Sequence, residues 1–101
     1  MCAGWIAVTK RSDVDFDKVK DLIDPMYRDM DLPATIEYFN KFFVKSCPLQ
    51  GSALEGATIA DFGCGYGWLS FAFALNTKAK VIAMDIDASR VATGKEIAKL
   101  L

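Results

Sequence analysis

Apolar positions change their spacing twice along the 101-residue chain. The change divides it into a helical first half and an alternating second half. Residues 1–11 have no firm period, and Trp5, Ile6 and Val8 fit either a short strand or an apolar arm. From Ser12, Phe16, Val19, Leu22, Ile23, Met26, Tyr27 and Met30 recur at three- and four-residue intervals, the period of an amphipathic helix. Pro25 interrupts that pattern. Asp24 before it reads as a cap with proline at the first helical position, so two short helices are expected. Asp31 and Pro33 open a third helix, with Ile36, Phe39, Phe42 and Phe43 on its apolar face and Tyr38 beside them. Residues 46–57, rich in glycine, proline and serine, read as a loop and as a boundary.

Beyond the loop the pattern is strand, helix, strand, helix. Thr58–Phe62 is the first strand, and Gly67–Leu75 is a helix apolar nearly all round, with Asn76 as its C-terminal cap. Lys80–Met84 is the second strand, unbroken in its apolar run as buried parallel strands are. Ala88–Leu101 is the last helix, with Val91, Ile97, Leu100 and Leu101 facing inward and Asp87 as its N-cap. This is a βαβ unit with a right-handed crossover, the beginning of a doubly wound α/β sheet. No internal repeat or low-complexity tract is present. The expected organisation is an N-terminal helical segment and linker, 1–56, followed by the start of a Rossmann-like cofactor domain, 57–101.

Composition narrows the classes. Hydrophobic residues make up 52% of the chain, which suits a globular fold rather than disorder. No apolar run approaches the ~20 residues of a membrane span, and no signal peptide is evident, so the cytoplasm is the expected location. Twelve basic and thirteen acidic residues give a net charge of −1 without a basic stripe, so there is no strong nucleic-acid signal. Cys2, Cys47 and Cys64 are odd in number and widely spaced, as free thiols in a reducing compartment are. The chain has no histidine, which excludes Ser–His and Cys–His hydrolysis and a histidine-ligated zinc site within it.

Candidate chemistry gathers at the tips of the two strands. Residues 58–67 read Thr-Ile-Ala-Asp-Phe-Gly-Cys-Gly-Tyr-Gly, and Asp85 follows eighteen positions after the last glycine. A strand running into Gly63, Gly65 and Gly67 makes a loop that a ligand can approach closely, and an acid at the next strand tip is placed to hold a ribose. The dinucleotide fingerprint G-x-G-x-x-G fails, because its third glycine would fall on Trp68. Asp61 argues in the same direction. A carboxylate at a phosphate loop would repel pyrophosphate but favours a cationic ligand. S-adenosylmethionine, with an adenosine, a sulfonium, an ammonium and no phosphate, fits both facts. Blander roles exist for each residue: a tight turn for the glycines, a surface or capping acid for Asp61, and a helix cap for Asp85, although Asp87 takes that last role more naturally.

The stretch IADFGCGYG resembles the first motif of class I S-adenosylmethionine-dependent methyltransferases, and VIAMDID resembles their second. The likeness covers roughly residues 57–100. It implies that Gly63, Gly65 and Gly67 wrap the methionine and ribose end of the cofactor. It also implies that Asp85 binds the ribose hydroxyls, Ile86 packs on the adenine and Asp61 lies near the methionine amino group. Cys64 and Tyr66 receive no role. The family fold has seven strands, so the chain is expected to be the truncated N-terminal part of such a domain, too short to be active alone, with the acceptor-facing residues beyond Leu101. Methyl transfer to an unidentified acceptor is the expected reaction, and no catalytic residue is named. The N-terminal helices stand where such enzymes often carry a substrate lid, and Trp5, Tyr38 and the phenylalanines fit either its lining or a core. The alternatives are a nicotinamide- or flavin-dependent oxidoreductase fragment with an atypical loop, and a non-enzymatic nucleotide-cofactor-binding or scaffold fragment.

Overall fold

The computed structural model describes residues 2–6, 14–27 and 29–101, the first five as backbone only. Val8 and the helical start at Ser12 therefore lie outside the described residues. Three strands form one sheet in the order β1-β3-β2, where β1 is Cys2–Ile6, β2 Thr58–Phe62 and β3 Lys80–Asp85. β2 and β3 are parallel, with Asp61 opposite Ala83 and Phe62 opposite Met84. β1 lies antiparallel on the other edge of β3, pairing Cys2 with Asp85 and Ile6 with Val81. The two forms left open for the N-terminus are thus resolved as a strand, and the parallel pair expected from sequence gains an antiparallel neighbour.

Helices cover one face of this sheet. α1 is Phe16–Leu22, α2 Leu32–Phe39, α3 Gly51–Glu55, α4 Trp68–Asn76 and α5 Ala88–Leu100. Val19, Ile23, Leu32, Phe71, Ile97 and Leu101 form a buried core between α1, α4 and α5. Ile36, Val44, Leu54, Ala72, Phe73 and Val81 form a second core against the sheet. Along β2, Ile59 and Asp61 turn toward the helices, while Thr58, Ala60 and Phe62 are exposed on the opposite face.

The second half follows the sequence reading closely. β2 has the expected bounds, β3 gains Asp85, and α4 is displaced by one residue. Thr77 ends α4 in place of Asn76, whose side-chain amide instead donates to Ala72 O at 2.8 Å. The first half departs in three places. The helix expected after Pro25 is only a 3₁₀ turn, Pro25–Tyr27, with Asp24 Oδ1 accepting from the Met26 N–H. The loop 46–57 contains α3, held by the buried Leu54. After α2, capped by Asp31 as expected, the chain widens into a π-helical turn over Asn40–Val44, with the Lys45 N–H donating to Asn40 O. Five residues per hydrogen-bonded turn in place of four rotate the following face. Asn40 and Val44 therefore turn inward, and Phe42 and Phe43, expected in the core, are about half exposed beside Tyr38.

Candidate cofactor site

Residues 63–67 leave β2 and fold across the tip of β3. The Gly63 and Cys64 N–H groups both donate to Met84 O, at 2.7 and 3.0 Å. The Gly65 N–H donates to Asp85 Oδ2 at 2.8 Å, and the other Asp85 oxygen accepts from the Asp87 N–H, also at 2.8 Å. The Asp85 carboxylate is therefore a bridge between the glycine loop and the turn into α5. It is held below the usual carboxylate range, first by the Asp87 N–H and then by the Gly65 N–H. Asp87 is held down likewise, first by the Ser89 hydroxyl and then by the Arg90 N–H, as its N-cap geometry requires.

All three loop glycines have left-handed backbones, with φ of +72° at Gly63, +59° at Gly65 and +104° at Gly67. A side chain in that region is strained, which explains glycine here. The space they leave open matters too. A Cβ built on Gly63 or Gly65 would meet nothing within 4 Å, so a cradle remains above the loop.

Asp61 lies half-buried on the helix-covered face, where the fully buried Ser70 hydroxyl donates to its Oδ2 at 2.7 Å. A carboxylate has acceptor capacity beyond one such bond, so it can still receive an ammonium. Sequence reasoning passed over Ser70, although one polar residue inside the apolar run Trp68–Leu75 is a signal for a buried polar partner. Ile86, at the tip of β3, is 83% exposed. The structure thus brings Asp61, Gly63, Gly65, Gly67, Asp85 and Ile86 to one end of the sheet.

The electrostatic character of the site is negative. The Cys64 thiol is pushed up to about 11, by burial first and then by the charges of Asp61 and Asp85. Its thiolate population near pH 8 should fall on the order of a hundredfold below that of an ordinary cysteine. Peptide mapping after brief iodoacetamide treatment should accordingly find Cys64 far slower to react than an ordinary exposed thiol. Equal rates would contradict this field.

A second residue without an expected role, Tyr66, is the hinge of the local packing. Gly94 of α5 lies so close beneath it that an added Cβ would sit 2.6 Å from the Tyr66 carbonyl oxygen. In an ordinary helix, alanine is favoured over glycine by roughly 1 kcal/mol. Here backbone stands in the way, so Gly94→Ala should destabilise the protein by about 1–2 kcal/mol net. A thermal melt checks the sign, and a raised midpoint would refute the close contact.

Among the described residues, no group of three or more His, Cys, Asp or Glu side chains is placed to hold a metal ion. Nor, among them, is any helix long and apolar enough to cross a membrane.

The family model described as ribosomal protein L11 methyltransferase (PrmA) matches residues 47–100, more than half of the chain. The chain belongs to the PrmA family. Relatives agree with this. The ribosomal protein L11 methyltransferase of Aliivibrio fischeri (strain MJ11) is 46% identical over 48 residues, covering 48% of this chain and 16% of the relative. That of Enterobacter sp. (strain 638) is 41% identical over 51 residues, 50% of this chain and 17% of the relative. The chain therefore spans about one sixth of the length of these curated relatives. No solved structure matches. The PrmA match takes in all six candidate residues. α1, the turn Pro25–Tyr27 and α2 lie outside it.

Proposed function

We propose that the β2 and β3 tips hold S-adenosylmethionine and that the protein serves in methyl transfer, with ribosomal protein L11, the substrate in its relatives' names, as the acceptor. One observation carries the cofactor reading. Three successive N–H groups of the loop, those of Gly63, Cys64 and Gly65, are turned to the protein itself, two to Met84 O and one to the Asp85 carboxylate, and so are not offered to an anion. Charge adds to this, since Asp61 and Asp85 flank the same loop. Such a site is hostile to a nicotinamide dinucleotide and suited to a cationic, phosphate-free nucleoside.

The open cradle over Gly63 and Gly65 fits the group. Asp85 would accept from the ribose hydroxyls, Ile86 would give its exposed apolar surface to the adenine, and Asp61 would face the ammonium. When bound, S-adenosylmethionine supplies a methyl group activated by a positive sulfur. The contribution of this chain is to hold the donor in place and orientation, which is the principal source of rate in a direct displacement. Incubating this chain, joined to the remaining length of a PrmA relative, with methyl-labelled S-adenosylmethionine and purified ribosomal protein L11 tests the acceptor. Label in L11 is the expected result. Unlabelled L11 alongside measurable cofactor binding would remove L11 and leave the cofactor assignment standing.

A further inference from the structure

We propose that Tyr66 is a positioning residue that latches the turn Asp24–Tyr27 onto the cofactor loop, so that the order of this turn and cofactor occupancy depend on one another. The inference rests on the reading of residues 63–67 as the S-adenosylmethionine loop. Its basis is a long-range bond: the Asp24 N–H donates to the Tyr66 hydroxyl oxygen at 3.1 Å, across 42 positions of sequence.

Asp24 is a sensitive place to hold. Its side chain accepts from the Met26 N–H and its carbonyl from the Tyr27 N–H, and the Tyr27 carbonyl accepts in turn from Met30. Fixing the Asp24 amide therefore fixes the turn that carries Tyr27. The Tyr27 ring meets Tyr66 edge-on, with centroids 6.3 Å apart and planes at 79°, a favourable aromatic arrangement.

Tyr66 is itself well anchored. The Arg90 guanidinium lies 5.5 Å from its ring centroid and pairs with Asp87 at 3.6 Å, while Trp68 packs on it at 6.0 Å. Asp87 also belongs to the turn whose N–H binds Asp85. The latch is thus continuous with the proposed ribose acid.

Between the turn and the loop lies a cleft of about 260 Å³, walled by Tyr27, Met30, Cys64, Gly65, Trp68 and Arg90 as well as Tyr66. Cys64 and Gly65 belong to both the cleft and the cofactor loop. A ligand that stills the loop reduces the ordering cost of the turn, and an ordered turn returns the same free energy to the ligand.

Tyr66→Phe removes only the hydroxyl and keeps the ring, so the fold should persist. Amide hydrogen exchange at Asp24, read by NMR with and without S-adenosylmethionine, tests the coupling together with cofactor affinity. In the wild-type protein, cofactor should slow Asp24 exchange. In Tyr66→Phe that protection should vanish, and affinity should fall about three- to tenfold, the worth of one neutral hydrogen bond, with the Gly65 amide still protected by Asp85. Cofactor binding with an indifferent Asp24 amide, or unchanged affinity in Tyr66→Phe, would overturn the latch alone. No binding by the wild-type protein would overturn the cofactor reading and the latch with it.

Discussion

Gly65→Val should cost S-adenosylmethionine binding about 3 kcal/mol, on the order of a hundredfold, while leaving a folded protein. The cause is conformational rather than collisional. A Cβ at Gly65 would touch nothing within 4 Å, but the residue stands at φ +59°, where a β-branched side chain is a severe outlier. The variant would relax toward negative φ, turning its N–H away from Asp85 and undoing the 2.8 Å bond that ties the loop to β3. Cofactor would then have to restore the strained geometry at its own expense. The valine side chain would meanwhile fill the cradle. Gly65→Asn is the informative control, because asparagine tolerates the left-handed region better than other residues. Calorimetric titration of both variants should rank them wild type, Asn, Val. Equal affinities would show that the backbone conformation is irrelevant.

Asp85→Ala should weaken binding by about 1–3 kcal/mol, the scale of a lost charge-assisted hydrogen bond. The effect on folding should be smaller, since Asp85 is only partly buried and water can replace the carboxylate at the Gly65 and Asp87 N–H groups. Affinity and stability should therefore separate in this variant, as they would not for a core substitution. The sign of the pH dependence follows from the lowered Asp85 ionisation. A carboxylate depressed in the folded state contributes fully above its unfolded value, about 3.9, and loses that contribution as pH falls through the lower folded value. Loop anchoring should be flat from pH 5 to 8 and fail only in stronger acid. A midpoint of loss near neutrality would mean that another group governs it.

How much was legible in the sequence depends on the range of the interactions concerned. Thr58–Phe62, Lys80–Met84 and the Asp87 cap were readable because each is set locally, by a short apolar run that stops at glycine or at an acid, or by a side chain bonding two or three residues on. The glycines were readable because left-handed backbone leaves a compositional mark. Phe42 and Phe43 were misplaced because one π-helical turn changes the period on which the helical face was counted. α3 was hidden by a start in glycine and serine, residues that also mark loops, and its reason for folding is the packing of Leu54 against the second core. The roles of Tyr66 and Ser70 had no local cue of comparable strength. One is fixed by an amide 42 residues earlier and the other by a carboxylate across the strand-helix layer. Sequence reasoning leaves Trp5, Tyr38 and the phenylalanines between a lid and a core; among the described residues, those of the N-terminal segment that wall the cleft beside the glycine loop are Tyr27 and Met30.

The use of loop amides by Met84 and Asp85 is likewise invisible to motif spacing, although it bears directly on cofactor class. The failed dinucleotide fingerprint and the acid at position 61 pointed to a ligand without phosphate. The hydrogen bonds are in keeping with that proposal at residues 63–65, where the amides are committed to a carbonyl and a carboxylate.

The most direct test of the account is isothermal titration of the protein with S-adenosylmethionine, repeated in the presence of excess NAD. One-to-one binding that NAD leaves undisturbed is the expected result. Absence of binding, or displacement of S-adenosylmethionine by NAD, would contradict it.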